Sequence, residues 1–393
     1  MIQKYPNKIY FAQVFLIFIC LFFIYIFIII HTSDNSNDMK GHAFFAKEMS
    51  EGKILYAGNF ILYGLINIFS FCLSSIFSLF ISSNAIYKLS LCILLAMATT
   101  YKFCLIYNHI ECGVKKKCFI AALSLLFVAA IPIPSLFTTG YWYLGNYMPN
   151  VWHNSTTILL FPFAIILFDI SIKQIEEYSR RRNIYILIFI FLNIFIKPSY
   201  FFVWVCIYPL FVICRYGLTK KFLSYMIPVI VGIVLLFIQY YYIYFITDDS
   251  SGVIIKPFKV YANFASLKMM PFNFLFSLLY PILYFVLNFK RLCKNTVFLF
   301  AQSGLFVSIV IFMLFSETGR RESHGNFGWQ IIICTWLCFY ITLSDWLKMK
   351  KIHRYHYHHR SQIILKISLV LYIFHVIFGI LYLLRYMIKG TYS

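Results

Sequence analysis

The stretch Tyr10–Ile30 reads YFAQVFLIFICLFFIYIFIII, and its reading decides the fold class. It carries no charged side chain, and about 20 apolar residues rising 1.5 Å each cross the hydrocarbon core of a bilayer as one helix. Lipid offers no partner for backbone N–H and C=O groups, so a helix that satisfies them internally is the structure expected here. The run is too long for a signal-peptide core, and no small-residue cleavage site precedes His31, so it should remain as an anchor. Working outward, similar apolar runs recur along the whole chain, separated by short polar segments. The 393 residues are 62% hydrophobic and only 12% charged, with a mean hydropathy of +0.80. Such values exclude an ordinary soluble domain.

The net charge of +21 is not the footprint of a nucleic-acid binder. Lys and Arg occur as short clusters between apolar runs, not as one continuous basic face. Their better use is orientation, because cytoplasmic loops of membrane proteins are enriched in Lys and Arg. Lys4 and Lys8 place the N-terminus in the cytoplasm. Lys115–Lys117, Lys173 with Arg180–Arg182, Arg215 with Lys220 and Lys221, Lys290 with Arg291 and Lys294, and the cluster from Lys348 to Arg360 then alternate on the inner side. This holds if residues 59–82 lie along the outer interface, 85–107 cross, and a third helix runs from Cys118 past Pro132. The expectation is an all-α polytopic transmembrane helical bundle of about eleven spans, with an interfacial helical segment after the first, forming a single membrane domain over residues 1–393. A bacterial inner (plasma) membrane is its expected location. The eleven cysteines are scattered and suit buried small apolar groups.

The inner segments are short and basic, whereas the outer ones are long and chemically mixed, so a site is expected outside. In the first outer segment Asp38 and His42 are four residues apart and share a face of a short helix. Either Asp38 or Asp34 could act as a general base taking a hydroxyl proton. Alternatively Ser36 or Asn37 caps that helix and Asp38 satisfies its dipole. The second outer loop, from Gly140 to Thr157, combines aromatics with Asn150, Trp152, His153 and Asn154. Aromatic faces stack on sugar rings while amides and imidazoles bond hydroxyls, although an interfacial aromatic belt accounts for Tyr141, Trp142 and Tyr143 equally well. Lys197, directly before Pro198, is a charge near membrane depth, a costly and therefore often functional placement. Arg320, Arg321 and His324 lie in an outer segment against the orientation rule, and arginine pairs naturally with phosphate oxygens. In a solvated loop Glu317 and Glu322 would instead neutralise those arginines. The histidine-rich turn from His353 to Arg360 has no metal-ligand spacing and reads as a basic, lipid-facing turn. P-loop, dinucleotide and H-E-x-x-H motifs do not occur.

The order of a first helix, a long outer loop bearing Asp34 and Asp38, an interfacial segment at Phe60–Phe80 and a second span resembles the GT-C class of membrane glycosyltransferases. That resemblance implies a sugar donor on a polyprenyl phosphate and a glycan or lipid-linked acceptor at the outer face. It implies no organic cofactor, and it leaves a divalent metal open. The segments 149–154 and 317–329 are also similar to stretches of bacterial surface-polysaccharide membrane proteins. The chain departs from the GT-C pattern in having no large soluble C-terminal domain and no acidic pair in the second outer loop. An O-antigen or capsule repeat-unit polymerase fits the same features. A flippase for lipid-linked oligosaccharide is the reading from another class, but no internal repeat supports it.

Overall fold

The computed structural model describes residues 8–33, 38–53, 57–111, 114–246, 251–322, 325–353 and 359–391. Their chain order begins with α1 Lys8–His31, α2 Asp38–Ser50, α3 Phe60–Phe77, α4 Ser83–His109, α5 Lys115–Ser124, α6 Ile133–Thr138, α7 Ser155–Glu176, α8 Arg180–Ile196 and α9 Ser199–Tyr216. It continues with α10 Lys220–Tyr241, α11 Lys259–Ala262, α12 Met270–Ser277, α13 Leu279–Leu287, α14 Phe289–Leu292, α15 Thr296–Leu314, α16 Trp329–His353 and α17 His359–Lys389. The described strands are β1 Val253–Ile255 and β2 Phe315–Glu317, which pair antiparallel with Val253 opposite Glu317.

The protein is thus an all-α polytopic bundle. Among the described residues nine helices are long and apolar enough to cross a bilayer, namely α1, α3, α4, α7, α9, α10, α15, α16 and α17. The pair α12 and α13, bent by 68° at Leu278, makes a tenth if counted as one span. Large apolar side chains such as Ile230, Val234 and Phe237 on α10 are exposed at helical spacing, as a lipid-facing surface requires. The interior is closely packed aromatic and aliphatic matter, with Trp204 and Trp336 fully buried.

Two features bear on the sequence reading. Helix α3 is long and apolar enough to be a span, and it packs beside α2 and α4, with Ser70 bonding Ser90. Tyr63 near its start bonds His42 of α2, the preceding Gly58 carbonyl accepts from Gln239 Nε2, and Phe60 meets Phe195 at the end of α8. Its last residue leads within a short turn to the start of α4, where Asn84 and Tyr87 bond Lys47 and Ser50 of α2. Leu62, Tyr63, Ile66 and Ser70 form its single buried stripe.

The second feature corrects the sequence reading. The expected third span from Cys118 past Pro132 is not a continuous helix, because α5 ends at Ser124 and residues 125–132 are irregular. Pro132 removes a donor and pushes the residue before it out of helical geometry. Non-helical backbone at membrane depth is tolerated only where protein satisfies it. Here Asn150 Nδ2 donates to the Leu125 and Val128 carbonyls, Trp336 Nε1 donates to Leu125, and His375 Nδ1 pairs with the Ala129 carbonyl. The cysteines divide against the expectation of uniform burial: Cys92, Cys334 and Cys338 are free and buried, Cys20, Cys72, Cys206 and Cys214 are free but exposed, and Cys118 is disulfide-bonded. Far from the α2 end, Arg291 grips Asp345 with two nitrogens at 2.8 and 2.6 Å, and Tyr284 donates to the same carboxylate.

Candidate functional site

Asn154 organises the site. It is the residue before α7, and its Oδ1 accepts from the Thr157 backbone N–H at 3.0 Å, capping the helix. Capping fixes which side-chain atom faces outward: Nδ2 points away from α7 and donates to Asp38 Oδ2 at 2.6 Å. Asp38 opens α2 and is exposed, and its other oxygen accepts no hydrogen bond from the described residues.

Lys197 arrives from the α8–α9 junction, where the following Pro198 holds it extended. Its Nζ donates to Asn154 Oδ1 at 3.0 Å and to Thr156 Oγ1 at 3.1 Å, and lies 4.0 Å from the centre of the Trp329 ring. Burial lowers its pKa to about 7, while the charges of Asp38 and Glu317 act in the opposite direction without restoring the ordinary value. His153 is buried next to Asn154, edge-on to Tyr143 at 5.0 Å and Trp329 at 6.0 Å. Burial lowers its pKa to about 4, and His42 is lowered for the same reason, so both imidazoles are neutral at pH 7.

A second carboxylate closes the far side. Glu317, at the end of β2, is 5% exposed. It accepts from Tyr244 OH at 2.8 Å and from Asn326 Nδ2 at 2.6 Å, with the Arg321 guanidinium 5.5 Å from the Tyr244 ring. The pairing of β1 with β2 carries Glu317 to this position.

The structure therefore joins Asp38, His42, His153, Asn154 and Lys197, which lie far apart in sequence, and sets Arg321 at the rim beside Tyr244. Asn150 and Trp152 lie elsewhere in the bundle's packing: Asn150 bonds Lys102 and two carbonyls, and Trp152 packs on Tyr25 and Phe127. Asp34 and His324 fall outside the described residues, as does the side chain of Arg320. Sequence reasoning passed over Trp329, Thr156, Tyr244 and Asn326 as site members. Thr156, Trp329 and Asn326 sit in or beside long mixed segments, whereas Tyr244 lies within an apolar run that gave no signal. Among the described residues no group of three or more His, Cys, Asp or Glu side chains is arranged to hold a metal.

Fold and site together define a multi-pass helical membrane protein with a charged, aromatic-lined site at one end of its bundle. No known protein-family model matches the chain, and no curated protein matches it.

Proposed function

We propose that this protein is a bacterial inner-membrane glycosyltransferase, with a cytoplasmic N-terminus and its site on the extracytoplasmic face. It moves a sugar from a polyprenyl-phosphate-linked donor to a glycan or glycolipid acceptor. The observation that carries this reading is a partly free carboxylate, Asp38, held one amide away from a shielded ammonium, Lys197, at the end of an apolar bundle. Lys197, with Arg321 at the rim, holds the donor phosphate, and Trp329 and Tyr143 offer aromatic faces to sugar rings. The acceptor hydroxyl oxygen bonds to the anomeric carbon as the bond from that carbon to the phosphate oxygen breaks. The hydroxyl proton passes to Asp38, and the phosphate leaves with the bonding electron pair as polyprenyl phosphate. Asn154 orients Asp38 and Lys197 at once.

The test separates binding from transfer. In lipid nanodiscs, titration with undecaprenyl phosphate followed by tryptophan fluorescence should show Lys197→Met raising Kd about tenfold or more, the loss of one charge-assisted contact. Asp38→Asn, which keeps size and capping ability, should leave Kd within about twofold but slow glycan assembly in cells by about 10² to 10⁴ at normal protein level. Wild-type glycan assembly by Asp38→Asn, or no binding of undecaprenyl phosphate at all, would overturn the assignment.

A further inference from the structure

Lys102 lies well inside α4 and is 4% exposed. Its Nζ donates to Asn150 Oδ1 at 2.8 Å and sits 3.5 Å and 4.2 Å from the ring centres of Phe161 and Trp336. Asn150 cannot turn its amide the other way, because Nδ2 is already committed to the Leu125 and Val128 carbonyls. Two ring faces attract a cation more strongly than a neutral amine, so this cage favours an ammonium. Yet among the described residues Lys102 forms no ion pair with a carboxylate. An unpaired charge in a dry interior is strongly disfavoured.

Beside the ammonium lies a cavity of about 20 Å³, lined also by Tyr25, Thr99, Leu126, Trp152 and Ile158. One water-sized sphere needs about 10–15 Å³. Thr99 donates to the Leu95 carbonyl, so Tyr25 OH donates to Thr99 and neither proton is left for a guest. The Trp152 indole N–H, a donor only, makes no hydrogen bond with the described residues. Leu126 and Ile158 complete an apolar wall. A water here could accept from Lys102 and from the Trp152 N–H, but it would leave the charge unneutralised.

We propose that this cavity binds a small monovalent inorganic anion of the size of chloride, as the counter-ion of Lys102. The site is separate from the Asp38–Lys197 cluster, since Phe161 follows Asn154 by two helical turns, about 10 Å along α7. It neutralises the cation that holds Asn150 against the irregular segment 125–132, and so ties anion binding to the stability of the bundle centre.

The test is thermal unfolding of the detergent-purified full chain in sodium chloride against sodium gluconate at equal ionic strength, gluconate being too large to enter. Binding to the native state raises Tm in a saturable way. The rise should appear in the wild type and in Lys197→Met, and should vanish in Lys102→Gln and in Thr99→Asp, which supplies a carboxylate beside the ammonium. Equal Tm in chloride and gluconate for the wild type, or a full chloride response in Lys102→Gln, overturns the proposal. If Lys102→Gln fails to fold, Thr99→Asp decides, and if both fail the wild-type comparison alone does.

Discussion

Lys197 carries a charge that its surroundings make conditional. Burial lowers its pKa from 10.5 to about 7, with Asp38 and Glu317 as its facing acids and Asn154, Thr156 and Trp329 as its neutral contacts. A base with a lowered pKa is protonated below that value and neutral above it. Binding of a phosphodiester, whose single charge is constant over this range, should therefore weaken as pH rises from 6 to 9. Lys197→Arg, always protonated, should flatten that profile. Without ligand the sign reverses for stability: between about 7 and 10.5 the unfolded chain keeps a proton that the native state has released, so unfolding becomes harder as pH rises. His42 and His153 are neutral throughout this window and contribute no inflection there. Affinity measured across pH checks the assignment; a wild-type profile as flat as that of Lys197→Arg removes Lys197 from the phosphate contact. At this scale the sequence picked out Asp38, Lys197, His153 and Asn154 by residue type against expected depth. It had no means of seeing that Asn154 bridges the acid and the base.

At the scale of elements the irregular segment 125–132 is the departure from simple spans, and its neighbours are shaped to hold it. Helix α17 approaches so closely that a Cβ on Gly379 would lie 1.4 Å from the Phe127 carbonyl oxygen, a rigid backbone atom. Gly379→Ala should therefore sharply reduce the yield of folded protein. Gly64→Ala in α3, with open space around its Cβ position, should be neutral or slightly stabilising through helix propensity. Fluorescence-detected size exclusion of the two variants checks this, and equal monodisperse yields would show that α17 does not press on the segment. Asn150→Leu tests the other side. It removes the side-chain donor to the Val128 carbonyl and leaves Leu125 with Trp336 alone, at about 1–3 kcal/mol for a buried group left unsatisfied, and a Tm unchanged from wild type would show that Asn150 does not hold the segment. The proline at 132 announced a break, but the partners that make the break tolerable come from α16, α17 and the 150 loop.

For the whole molecule the clusters of Lys and Arg predict orientation. Lys116 is exposed at the start of α5, and Lys53 is exposed just after α2, so both suit single-cysteine labelling, whereas buried Trp152 does not. In a cysteine-free background, cells should be labelled from outside at position 53 and not at 116; the reverse would invert the proposed orientation and move the site to the cytoplasm. Span content was legible in the sequence because lipid imposes one rule, that apolar runs of about 20 residues become helices, and that rule needs no knowledge of neighbours. The charge clusters predict an interfacial α3, whereas its length and composition suit a span. Packing decided the rest. The break at Pro132 is tolerated because buried side chains from distant helices replace the lost backbone partners, and the pairing of β1 with β2 brings the Glu317 charge to act on Lys197. Local hydropathy determines which segments enter the membrane, but the meeting of polar side chains depends on helix rotation and loop closure, which arise only when all the helices pack together.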